Sequence, residues 1–202
     1  MIEFFRTGGV TMIFLGFASI LALAVIIEKA FKLRKKIVIK PESVKTLDTL
    51  VEEKLWGKIE KYTAENPGAF TDIVHTVMEN RDEDTEILKD SVEEAGRSAS
   101  DTLERRLSIL ATVAGVAPLL GLFGTVLGMI KVFNVISIEG TGTQSLSKGI
   151  GEALITTATG LAIAIPALVA YNYFSNKVSE YIRFMEKYSL NLIKQIKRDK
   201  KK

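Results

Sequence analysis

GIGEALITTATGLAIAIP, residues 149–166, has the apolar density of a membrane span, yet it carries a carboxylate, Glu152, and three threonines, Thr156, Thr157 and Thr159. A carboxylate near the bilayer centre costs about 2.5–3.5 kcal/mol on insertion scales, and such residues usually mark ion or proton pathways. The apolar run extends to Ala170, and Glu152 is the only charge in Ile150–Ala170. Two runs of similar length precede it, Gly8–Ile27 and Leu110–Ile130, and neither contains a charge. About 20 apolar residues at 1.5 Å each cross about 30 Å of hydrocarbon, and each of these runs is long enough to do so. The expected fold class is an all-α membrane protein, with three transmembrane helices and long helices extending into a cytoplasmic helical bundle.

The remainder of the 202 residues carries most of the charge, and the 27 Lys and Arg lie mainly between and after the apolar runs. The chain has no cysteine, which excludes disulfides and thiolate metal sites. A single histidine, His75, cannot assemble a metal cluster alone and is expected in a surface or packing role. MIEFFRT, before the first run, lacks a basic n-region, and a basic cluster follows the run, so it is expected to be a retained helix and not a signal peptide.

Orientation follows the positive residues. Six bases lie between Lys29 and Lys40, the tail ends KQIKRDKKK, and the 131–149 loop has only Lys131 and Lys148. The N-terminus and that loop are therefore expected outside and the C-terminus in the cytoplasm. The expected division is residues 1–30 for the N-out start and first span, 31–107 for a cytoplasmic helical region, 108–136 for the second span, 137–147 for a short periplasmic loop, 148–174 for the third span, and 175–202 for a cytoplasmic helix and basic tail.

In the cytoplasmic region, residues 42–62 read as a helix with Val44, Leu47, Val51, Leu55 and Ile59 at helical spacing. NPG at 66–68 breaks the pattern and residues 69–80 resume it. From about Asp84 no Gly–Pro break intervenes, and the spacing of Leu88, Val92, Ala95, Ala99, Leu103 and Leu110 predicts one long helix over about 84–136. Val178, Ile182, Met185, Leu192 and Ile196 give a last amphipathic stretch, with RDKKK frayed beyond it. Trp56 is expected in the core.

Projected at 100° per residue, the third span has three faces. Glu152, Thr156 and Thr159 share a narrow polar face with Ile163 and Pro166. Gly149, Ala153, Gly160, Ala164 and Ala167 form a small-residue stripe, with Thr157 on its far edge. Leu154, Ile155, Ala158, Leu161, Ile165 and Val169 form a greasy arc. The second span has its own stripe, Ala114, Ala117, Gly121, Gly124 and Gly128, with Thr125 beside it. Such stripes mark close backbone contact, here expected to hold a ring of copies together. Pro118 and Pro166 each remove a helical hydrogen bond and give a fixed kink or a hinge. Thr125 and Thr157 lie at nearly one depth. Two readings of the polar residues stay open: a lined pathway, or a Glu152 that snorkels to Lys148 with threonines bonded back to their own helix.

LERRLSILATVAGVAPLLGLFGTVLGMIKVF (103–133) followed by GIGEALITTATGLAIAIPALVAYNYF (149–174) resembles the ExbB/TolQ family of the MotA/TolQ/ExbB proton channel superfamily. The resemblance implies an inner-membrane subunit of a motor driven by the proton motive force. It implies five copies around a dimer of single-span ExbD/TolR-like partners, with work passed to a TonB- or TolA-like protein. It implies protons as the coupling ion. No other cofactor, no metal, no nucleic-acid partner and no enzymatic activity are expected, since the sequence offers no nucleophile–base pair, metal cluster or phosphate loop. The family's polar positions match Thr125, Glu152 and Thr157, beside Thr156; the related stator's prolines match Pro118 and Pro166. Gly121, Gly124, Gly128, Ala153, Gly160 and Ala164 are the expected packing positions. The alternatives are a membrane scaffold without motor function, a self-contained channel, and a MotA-like stator subunit.

Overall fold

The computed structural model describes residues 9–139 and 143–200; side chains are described for residues 11–134 and 149–200. Among the described residues every regular element is a helix, and they fall into two units. The span unit holds the described residues through Glu28 and Arg106–Tyr173; the extramembrane unit holds Lys29–Arg105 and the residues from Phe174 on.

Among the described residues three helices are long and apolar enough to cross a membrane. The first is α1, Gly9–Lys32. It buries Thr11, Met12, Leu15, Ala22 and Val25 and leaves Phe14, Phe17, Ile20 and Leu23 exposed. Buried positions at spacings of three, four and seven give one face against protein, and the outer face suits lipid. After a short turn, α2 (Lys35–Val38), α3 (Pro41–Glu52), α4 (Trp56–Glu65), α5 (Ala69–Glu79) and α6 (Thr85–Glu104) follow. The second apolar helix is α7, Leu107–Glu139, and the third is the apolar part of α8, Thr143–Asp199.

Two expected helices are broken. Residues 42–62 divide into α3 and α4, because Lys54 takes a left-handed conformation, φ 58°. The amide of Lys54 donates to the Val51 carbonyl at 3.1 Å and that of Leu55 to the Leu50 carbonyl at 2.9 Å. This pair of bonds is a Schellman cap, which satisfies carbonyls that a helix end would orphan. The single helix expected over 84–136 divides into α6 and α7. Arg105 at φ −47°, ψ 129° followed by Arg106 at φ 73° has the pattern of a type II turn, whose third position usually takes glycine. A left-handed arginine costs about 1–2 kcal/mol. Its guanidinium donates to Glu28 at 2.8 Å in the span unit. In the extramembrane unit the buried ammonium of Lys29 donates to the Leu103 carbonyl at 2.6 Å, placing a cation on the exposed C-terminal carbonyls of α6.

α8 runs 57 residues without a break, about 85 Å at 1.5 Å per residue. Its second half buries Val178, Ile182, Met185, Leu192 and Ile196 on one stripe, as the periodicity predicts, and it reaches Asp199 within the stretch expected to fray. The extramembrane core gathers Leu47, Ile59, Phe70, Ile73, Met78, Leu88, Met185 and Ile193, all nearly inaccessible. Phe70 meets Tyr188 edge-on at 5.0 Å between centroids and Phe184 at 6.1 Å. His75 packs half-buried, with Nδ1 3.0 Å from the Thr63 hydroxyl. Trp56 does not join the core: it is half-buried, and its indole N–H donates to Asp199 at 3.2 Å at the rim of an open groove.

Candidate functional site

Within the span unit the small residues of α7 face those of α8 at backbone distance. A Cβ placed on Gly121 would lie 3.0 Å from the Thr156 carbonyl oxygen and from the Thr157 Cα. One on Gly128 would lie 3.0 Å from the Ala153 Cβ, and one on Gly160 would lie 2.5 Å from the Ala117 carbonyl oxygen. One on Gly124 would collide with the Thr156 methyl, and it would lie 2.7 Å from the Thr11 hydroxyl. At Gly121 and Gly160 the obstacles are backbone atoms that cannot rotate away, whereas at Gly124 they are the side chains of Thr156 and Thr11. Ala153, Ala164 and Ala167 are buried along the same face.

This geometry corrects the expectation that the stripes join one copy to another. Gly121, Gly124, Gly128, Ala153 and Gly160 form a seam inside a single chain. Thr156, grouped in sequence with the polar face, is 1% exposed and sits in this seam under Gly124. The greasy arc faces outward as expected, with Leu154, Leu161, Ile165 and Val169 exposed.

The hydroxyls divide by hydrogen bonding. Thr125 donates to the Leu122 carbonyl at 2.6 Å, Thr156 to that of Glu152 at 3.1 Å, and Thr159 to that of Ile155 at 2.8 Å. These three bond back to their own helices. Thr157 differs: its Oγ1 is buried and has no hydrogen-bond partner among the described residues. A buried polar atom left in that state costs about 1–3 kcal/mol. Glu152 is half-buried one turn from Thr156, and the Lys148 side chain proposed to pair with it lies outside the described residues. Pro118 and Pro166 each lie inside an unbroken helix, which loses one backbone bond at each. Among the described residues no group of three or more His, Asp or Glu is placed to hold a metal.

One residue was not singled out from sequence. Thr11 of α1 is 4% exposed and brings a third helix to the junction of Gly124 and Thr156. The available signal was its place on the same face as Leu15 and Ala22, a hydroxyl where every neighbour on that stripe is apolar.

The fold and this seam define a multi-pass α-helical membrane protein whose helices meet at glycines with hydroxyls between them. The MotA/TolQ/ExbB proton channel family matches residues 65–187. TolQ of the Tol-Pal system of Haemophilus influenzae is 44% identical over 100 residues, 47% of this chain and 44% of that protein. An ExbB-like biopolymer transport protein of Synechocystis sp. is 30% identical over 189 residues, 91% of this chain and 74% of that protein. ExbB of Aquifex aeolicus is 46% identical over 79 residues, 39% of this chain and 53% of that protein. This chain belongs to the MotA/TolQ/ExbB proton channel family. Its matches to the Haemophilus and Aquifex relatives span about half of their lengths. Three apolar helices together with these relatives support a multi-pass protein of the inner membrane.

Proposed function

We propose that this chain is an ExbB/TolQ-like subunit of a motor driven by the proton motive force. It forms a homo-oligomeric ring, a pentamer by resemblance, around a dimer of single-span ExbD/TolR-like partners. The motor energises a TonB- or TolA-like protein that serves outer-membrane transport or integrity. Protons are the coupling ion and no cofactor is required. The N-terminus faces the periplasm and the C-terminus the cytoplasm.

The observation that carries the reading is the orphaned hydroxyl of Thr157. Threonines in helices ordinarily bond back one turn, and its neighbours do so. A stability deficit kept at a hydroxyl of the span that also carries the half-buried Glu152 is what a residue serving a partner or a passing proton would show. The other buried hydroxyl without a partner among the described residues, Ser189, lies in the extramembrane unit. One charge crossing the membrane releases about 2.3 kcal/mol per 100 mV, several times RT. That biases a sliding step without disturbing a packed seam.

Thr157→Val and Glu152→Gln keep volume and remove the polar function. Both are expected to abolish energy-dependent uptake or envelope rescue in cells lacking the native protein, at normal expression and assembly. Thr157→Val should also raise the melting temperature in detergent, because it removes an unsatisfied hydroxyl, and Leu154→Val on the outer arc should be tolerated. Full complementation by both polar variants would sink the proposal. Orientation is tested separately: Thr141→Cys should react with an impermeant reagent from outside and Lys45→Cys should not.

A further inference from the structure

The segment that leaves α1 combines features that neither a lipid-buried helix nor a soluble surface requires. Between Glu28 and Glu42 there is no acid, and Lys32, Arg34, Lys35, Lys36 and Lys40 are all exposed. Two large apolar side chains of the same segment are exposed among them, Phe31 at 58% and Ile37 at 56%. The Arg34 guanidinium lies over the Phe31 ring, 5.0 Å from its centroid. The segment is not loose: Leu33, Val38 and Ile39 are buried. The Tyr181 hydroxyl of α8 donates to the Leu33 carbonyl at 3.0 Å.

From this arrangement we infer that residues 31–37 form a clamp for anionic phospholipid headgroups. The residues run from the last turn of a helix long and apolar enough to span a bilayer into the chain just beyond it, so they reach the headgroup layer. A ring and an aliphatic side chain in that layer enter the acyl boundary, while bases beside them meet phosphate. The cation–π contact keeps the guanidinium over the Phe31 ring, and a planar guanidinium takes two oxygens of a phosphodiester at once. Buried Leu33, Val38 and Ile39 fix the backbone, so little ordering is required on binding. A soluble protein partner would leave unexplained why the apolar pair sits within a turn or two of the span. The inference does not depend on which side of the membrane the segment occupies.

The test uses the full chain in nanodiscs of equal phosphatidylglycerol and phosphatidylcholine, with retained lipids identified by native mass spectrometry after transfer to detergent. The wild-type chain should retain phosphatidylglycerol preferentially, and the preference should fall with salt. Each base near an anionic surface contributes about fivefold, which is about 1 kcal/mol. Arg34→Gln, Lys35→Gln and Lys36→Gln together should therefore reduce the preference by about tenfold or more. The control triple Lys58→Gln, Lys61→Gln and Lys89→Gln removes the same charge from exposed positions elsewhere in the extramembrane unit and should leave it unchanged. Absence of preference in the wild-type chain, its persistence in the first triple, or an equal loss in both would overturn the inference. Phe31→Ser with Ile37→Ser should weaken retention; a smaller oligomer with unchanged retention would assign this face to a second copy and overturn it as well.

Discussion

In the span unit helices touch through Gly121, Gly124, Gly128 and Gly160, and their large side chains, Leu119, Leu122, Leu154 and Ile165 among them, point away from the chain. In the extramembrane unit the arrangement is reversed. Phe70, Leu47, Ile59, Met78 and Met185 fill the interior, and charge covers the outside. The two units solve different problems with the same element. In water, burying large apolar side chains contributes about 1.5–3 kcal/mol each, so large residues go inside. In lipid, apolar surface gains nothing by turning inward, and cohesion comes from close packing and hydrogen bonds, so small residues go inside.

The contrast is broken most directly by changing residue size in opposite directions. Phe70→Ala should destabilise the extramembrane unit by about 3–5 kcal/mol, measured by denaturant unfolding followed through Trp56 fluorescence. Gly160→Leu should destabilise the span unit by about 1–3 kcal/mol or more, because the obstacle is the Ala117 carbonyl, which cannot rotate away. Gly115→Leu, on the same helix as Ala117, meets open space and should leave the melting temperature in detergent unchanged. Equal damage at both glycines would mean that glycine acts there through backbone freedom and not through close approach.

Smaller effects come from pH and concern the extramembrane unit alone. Burial, then a hydrogen bond to Asp48, raises the Tyr188 phenol above its ordinary range. The folded chain thus holds this proton more tightly than the unfolded one. Its contribution is complete below about pH 10, the ordinary phenol value, and is lost as pH rises beyond it. Thermal unfolding between about pH 9 and 11 should show a fall in stability that Tyr188→Phe reduces. The smallest effect belongs to Asp82. The hydrogen bond and charge of Lys200, 2.5 Å away, hold its fully exposed carboxyl below the ordinary value. Its contribution is present above about pH 4 and lost as pH falls through the depressed value, so Asp82→Asn should slightly flatten the acid limb.

The three spans were legible because each is a bilayer-length apolar run with at most one charge, and the stripe on the end of α8 because its period is regular. The helix breaks were not. Lys54 and Arg106 occupy left-handed positions where glycine is the usual signal, and their side chains answer to distant partners, Asp199 and Glu28. The small stripes announced close contact but not its partner: periodicity marks a face, and which backbone arrives there is a tertiary fact. For the same reason Thr156 was grouped with an open polar face, and Thr11, an isolated hydroxyl in an apolar run, carried no signal strong enough to single it out. Trp56 was expected inside because tryptophan is large and apolar. Its N–H requires an acceptor, and Asp199 near the chain's end supplies one at the rim.

The glycine and alanine seam also sets how the span unit responds to heat. Side chains without rotamers lose no rotational freedom on packing, whereas each methionine or leucine of the extramembrane core gives up some. In lipid the helices already carry their backbone order before they meet, since every backbone group must be satisfied internally. Closing the seam therefore changes entropy little and exposes or hides little surface to water. Its cohesion should vary weakly with temperature, while the extramembrane core, built on burial from water, carries the large heat-capacity change and the curved stability profile that accompanies it.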